Sequence, residues 1–261
     1  MNSLPIPEIE EKVRNRTHNL SEVHGYGHLK RTAIGAKFFA RFFGESEQNQ
    51  DIAYIAGLIH DLERPNTEKI DHADISVREA SKFLSYFSLD QEIQDKIILL
   101  IQTHRHAQDI PLSEQWVYLS DKLFEQSGAY VIFRRCYYIG ECEDFMHMSI
   151  DEAINEAIKS HTQRRMTKFK PSVFRDEVKK LAEYQYQWQQ SFFSVFVAQE
   201  TWATRLAHQF VAYGREKASS LEKLIDNFEP HHEHGEKFKQ EALSYLKGDK
   251  YIFFKTLLFR P

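Results

Sequence analysis

Six residues, at five places on separate predicted helices or their ends, carry imidazoles or carboxylates: His28, the adjacent pair His60 and Asp61, His72, His104 and Asp121. The pair follows the run AYIAGLI directly. A carboxylate at the end of so apolar a helix is costly unless something satisfies it. A divalent cation would satisfy both members, because imidazole and carboxylate are both metal ligands. His104 falls on the stripe of Ile93, Ile97 and Leu100, Asp121 shares a face with Val117 and Phe124, and His72 lies on the face of Ser76 and Ala80. Read at helical spacing, these groups point inward. Inward polar groups on separate helices predict one shared site inside a bundle, which is where helical proteins build metal centres.

The elements that must position these groups are legible in outline. The 261 residues hold 10 Gly and 7 Pro, against 20 Phe and 12 Tyr. Few turn residues and many core formers predict long helices with few connections. A net charge of −4 does not indicate a nucleic-acid surface. No run of 18 or more apolar residues and no signal peptide is seen, so no membrane span and a cytoplasmic location are expected. Cys136 and Cys142 have no zinc spacing and are read as reduced thiols in or near the core.

A short helix after Pro5 and Pro7 carries Ile6, Ile9 and Val13, and 18–27 reads as a loop. Helices are expected at about 28–43, ending at Gly44; from Asp51 through the His-Asp pair, ending before Pro65; from Asp71 or His72; at 91–104; and at 113–133. Ser149 with Glu152 forms a capping box opening a helix to about His161. An apolar stripe from Phe174 to Tyr213 predicts one long helix, or two with a polar joint. It is read as packing on the rest of the chain, with a homodimer interface as the alternative.

The ordered set His…His-Asp…His…His…Asp resembles the HD-domain superfamily of metal-dependent phosphohydrolases. The stretches that carry it are HGYGHLKRT, AGLIHDLERP, HADISVREASKFL and LLIQTHRHAQDIPLSEQWVYLSDKLFEQSGAYVIFRR, over about residues 18–136. The resemblance implies an all-α fold with an HD-domain helical bundle, read over 1–142; residues 143–261 lie beyond it and are expected to form an additional C-terminal helical lobe that covers the site or builds a dimer. It implies that His28, His60, Asp61 and Asp121 hold a divalent metal (Mn, Fe, Co, Ni, Mg or Zn). His72 and His104 match positions that hold a second ion in binuclear branches, and a core His bonded to backbone is the alternative.

The implied activity is hydrolysis of a small phosphorylated substrate, a nucleotide foremost, as a phosphomonoesterase or nucleotide pyrophosphohydrolase. Asp61 orients the attacking water as well as binding metal, and Glu63 is a further acid–base candidate. Arg64 stands where many members have Lys, and a guanidinium can grip phosphate bidentately. Arg31 and Lys122 are further cations for the substrate. His24 is brought near the site by the loop HGYGH. His106 should face away from His104, and the cluster HHEHG at His231, His232 and His234 reads as a solvated loop. The rival readings are a non-catalytic nucleotide- or metal-binding sensor and an HD-fold di-iron oxygenase.

Overall fold

The computed structural model of the chain describes residues 4–64, 67, 72–106, 109–218 and 220–258. Among them every regular element is helical. The described residues up to Glu125, with Pro171–Val173, form one compact unit, and those from Gln126 on, with Thr67, form a second. The continuous part of the first unit ends at Glu125.

In the first unit, α1 (Ile6–Arg16) turns Ile9 and Val13 inward, at the four-residue spacing of one helical face. Helix α2 (Tyr26–Phe42) ends as expected at Gly44, whose φ of 87° suits a residue without a Cβ. Helix α3 (Glu47–Ile59) begins earlier than the expected Asp51. Ser46 caps it by accepting the Asn49 N–H at 3.3 Å. The opening turn EQNQ is polar, so the apolar pattern shows only the buried run from Ile52 to Ile59. Helices α4 (Ala73–Leu84) and α5 (Gln91–Gln102) complete the regular frame. Pro65 and Asp71, which bounded two expected helix ends, lie outside the described residues.

Helices α2 and α3 are the closest pair in this unit, and glycine makes that possible. A Cβ added at Gly57 would sit 2.8 Å from Ala33 Cα and 2.9 Å from Thr32 O, both backbone atoms of α2. Gly57→Ala is therefore expected to destabilise the fold by about 1–3 kcal/mol through overpacking, although alanine is the better helix former. The urea midpoint reads this; an unchanged or raised midpoint would show that the contact yields.

The single helix expected at 113–133 is not formed. A 3₁₀ turn (Leu112–Glu114), a one-turn helix α6 (Trp116–Leu119) and a π turn (Ser120–Phe124) stand there, and a new helix starts only at Tyr130. The π turn is closed by the Glu125 N–H donating to Ser120 O at 2.8 Å, an i→i−5 bond. Ser120 Oγ is drawn off to Thr32 O at 2.6 Å, anchoring the turn on α2.

The second unit holds α7 (Tyr130–Glu141), α8 (Ile150–Arg165), α9 (Asp176–Val197), α10 (Thr201–Arg215), α11 (Leu221–Asp226), α12 (Glu233–Lys247) and α13 (Lys250–Leu258). Helix α7 is buried almost all round, packed on α10 where Gly140 and Gly214 let the two backbones meet. The Ser149–Glu152 capping box forms, with Glu152 accepting the Ser149 N–H at 2.9 Å. The long stripe is two helices, broken at Gln199, which takes a φ of 59°. Cys136 and Cys142 are buried free thiols, and burial raises the Cys136 thiol. No helix among the described residues is long and apolar enough to cross a membrane.

Candidate metal centre

Each chemically marked residue sits at an element's end or in an irregular turn of the first unit, where the backbone can aim it. His28 is in the first turn of α2, His60 and Asp61 follow α3, and His72 takes the N-cap position of α4. His104 follows α5, and Asp121 lies in the π turn. His28, His60 and Asp61 are 0% exposed, and Asp121, His72 and His104 no more than 3%.

The geometry sorts them into two triads. Ligating atoms of His28, His60 and Asp121 lie within 4.8 Å of one another, and so do those of Asp61, His72 and His104. The triads adjoin, with His60 Nε2 3.6 Å from Asp61 Oδ2. His28 Nε2 is 3.8 Å from Asp121 Oδ1, and His104 Nε2 is 3.6 Å from Asp61 Oδ1. All six expected ligands thus meet in one place, with Asp61 on the side of His72 and His104.

The imidazoles are oriented from behind. His60 Nδ1 donates to Gly57 O at 2.8 Å and His104 Nδ1 donates to Ile101 O, which leaves each Nε2 with its lone pair toward the site. His28 Nδ1 lies 3.2 Å from Glu125 Oε1. Glu125 is fully buried and is gripped by Arg31, with Nε at 2.7 Å and Nη2 at 2.9 Å. Backbone carbonyls and carboxylates behind imidazoles are the usual second layer of a metal site, fixing tautomer and ring angle. The Nε2 atoms of His28, His60 and His104 are buried and have no hydrogen-bond partner. Leaving such an acceptor unsatisfied costs about 1–3 kcal/mol, and a divalent cation removes the deficit. The donor set therefore fits a first-row divalent metal.

Charge around the site is set by burial and by paired cations. Burial pushes the His60 imidazole down to about 4 and the His72 imidazole down to about 3. Burial opposes ionisation of Asp61, but the neighbouring His60 and the Arg64 guanidinium hold its carboxyl well below the usual range. Burial likewise opposes ionisation of Asp121, where the Lys122 ammonium and the nearby imidazoles prevail. Glu125, also buried, is held at about 2 by Arg31 and the His28 imidazole.

A pH dependence follows for metal-stripped protein. Below about pH 6.5 the unfolded chain protonates imidazoles that the folded chain keeps neutral, so it binds more protons and stability falls as pH falls. By pH 5, His60 and His72 together withdraw about 2–4 kcal/mol, a drop of about 5–10 °C in Tm. Below about pH 4 the buried carboxylates add to the loss, in the same direction. An unchanged Tm between pH 7 and pH 5 would mean that the imidazoles are not held neutral.

The other expected site residues fall in different places. Arg64 bonds Asp61 Oδ2 at 2.8 Å, and Lys122 bonds Asp121 Oδ2. Both cations stand beside the metal-type ligands. Arg31 lies one layer back, its fork turned onto Glu125. The His24 ring is edge-on to His28, with centroids 6.2 Å apart. Glu63 is 61% exposed and lies 3.6 Å from Arg16, outside the buried cluster. His106 is exposed, as expected. The HHEHG stretch is only partly a loop: His232 caps α12 by accepting the His234 N–H at 3.2 Å. Three residues of the cluster escaped the sequence reading. Glu125 stood in plain sight four residues after Asp121; Ser76 donates to Asp61 Oδ1 at 3.2 Å, and Arg105 bonds His72.

Residues 25–125 match the family model of the HD domain. Over these residues the chain carries an HD domain. The matched span begins just before His28 and ends on Glu125, so it takes in every residue of the two triads. Neither the curated proteins nor the solved structures compared with the chain gave a match. The HD domain indicates the superfamily of metal-dependent phosphohydrolases, whose members bind divalent metals, and the His/Asp clusters here are of the kind that could hold one.

Proposed function

We propose that the chain is a metal-dependent phosphohydrolase that cleaves a phosphate ester or anhydride bond in a small phosphorylated substrate, a nucleotide foremost. The observation that carries this reading is the gathering of unpartnered, buried imidazole Nε2 atoms with two ionised carboxylates. His28, His60 and Asp121, with Asp61 adjoining, would hold the ion. When bound, the ion supplies Lewis-acid polarisation of a phosphoryl oxygen and a lowered pKa for water.

The chain's own residues do the rest. Asp61 accepts from Ser76 and Arg64, so its carboxylate is fixed and can receive a hydrogen bond from the attacking water. Arg64 and Lys122 are partly buried cations next to the ligands, placed to meet the negative charge that builds on a phosphoryl group. Burial of the imidazoles keeps bulk water from screening these charges.

The test is release of phosphate and pyrophosphate from a pool of nucleotides and sugar phosphates by metal-stripped protein, with and without added Mn²⁺. Release restored by the metal supports the hydrolase, and the product names the bond cut. No release with any divalent metal would overturn it in favour of the sensor or oxygenase reading.

A further inference from the structure

His72 and His104 stand side by side, with ring centroids 5.5 Å apart, but they use their nitrogens in opposite ways. His104 Nδ1 donates to the Ile101 carbonyl, so its Nε2 keeps a lone pair. His72 Nδ1 instead meets Arg105 Nη1 at 2.7 Å. A guanidinium has only donors. His72 Nδ1 must therefore accept, and the ring's proton sits on Nε2, 3.4 Å from Asp61 Oδ1. A protonated ring nitrogen has no lone pair for a metal ion.

This changes what the second triad offers. With His72 turned into a donor, Asp61, His72 and His104 supply two ligands rather than three, and Asp61 is shared with the neighbouring triad. Catalytic metal sites of this ligand type use three protein ligands. The Arg105 guanidinium adds a fixed positive charge at the edge of the same triad, which opposes a second divalent cation.

We propose that Arg105 closes the second triad to metal by fixing the tautomer of His72, so that the chain takes one divalent ion and His72 serves as an N–H donor. The inference rests on the metal-site reading given above. In the one-ion state the His72 Nε2–H steadies Asp61, and the His104 lone pair is left for water or substrate.

Two measurements test it. Metal-stripped protein is loaded with Mn²⁺ and desalted, and the metal is counted per chain, beside Arg105→Met. One ion in the parent and two in Arg105→Met are expected. Two ions in the parent, or one in Arg105→Met, would overturn the proposal and leave the hydrolase reading standing. No ion retained by the parent would overturn both. The second measurement needs no metal: ¹H–¹⁵N correlation spectra of the metal-free protein, with His72 assigned through His72→Gln. The Nε2–H tautomer is expected, and an Nδ1–H tautomer would sink the proposal.

Discussion

Asp61→Asn is expected to abolish metal-restored phosphate release while leaving the helical circular dichroism of the chain unchanged. The amide is close to the carboxylate in shape. Its oxygen can still accept from Arg64 or Ser76, both of which bond Asp61 in the native protein. What it loses is charge. Asp61 lies where the two triads adjoin, 3.4–3.6 Å from imidazole nitrogens of His60, His72 and His104. Residues that merely orient a metal ligand cost about 10–100-fold when lost, so a residue that both binds the ion and holds the water should cost about 10³-fold or more. Phosphate release within tenfold of the parent would show that Asp61 does neither.

Glu125→Gln is expected to be the most damaging of these changes to stability. The Glu125 side chain is fully buried and carries a two-pronged bond to Arg31, whose side chain is 18% exposed. Breaking a buried pair by removing one partner costs about 3–5 kcal/mol; the partial exposure of Arg31 lowers the expectation to about 2–4 kcal/mol, or about 5–15 °C in Tm. The same change releases His28, which lies against Glu125 Oε1. Metal affinity should therefore also fall, by about 10–100-fold. If Glu125 acts through His28, adding Glu125→Gln to His28→Ala should cost little further affinity. A Tm within about 2 °C of the parent, with unchanged metal affinity, would mean that Arg31 and Glu125 are an ordinary surface pair.

The parts of this site that could be read from sequence are those where apolar spacing does the reading. His60 and Asp61 betray themselves by following eight consecutive buried residues, and His104 by sharing a stripe with Ile93, Ile97 and Leu100. The helix carrying Asp121 was misread for the same reason. The run from Ser113 to Phe124 keeps a helical spacing that does not distinguish an α turn from a wider one, while the polar stretch that ends in Gly128, with its φ of 51°, is the stop before the next helix. Ser46 was missed because a capped polar turn leaves no apolar trace. The roles of Arg31 and Arg105 were out of reach because an arginine's partner is settled by three-dimensional packing. Arg31 turns to Glu125, far along the chain, and Arg105 reaches back past two helices to His72.

The π turn at Ser120–Phe124 also sets a rule for how this chain can vary in length. The turn closes from Glu125 to Ser120 and so holds one residue more than an α-helical turn would. Deleting Leu123 would let the segment relax into a regular helix, a change that local propensity favours. It would also rotate Glu125 by about 100° relative to Asp121. Glu125 would then swing off His28 while Asp121 stayed in place. A shorter, better-formed helix would lose the buried Arg31–Glu125 pair as well as the site, so the extra residue is a register mark that stability and site geometry both hold in place.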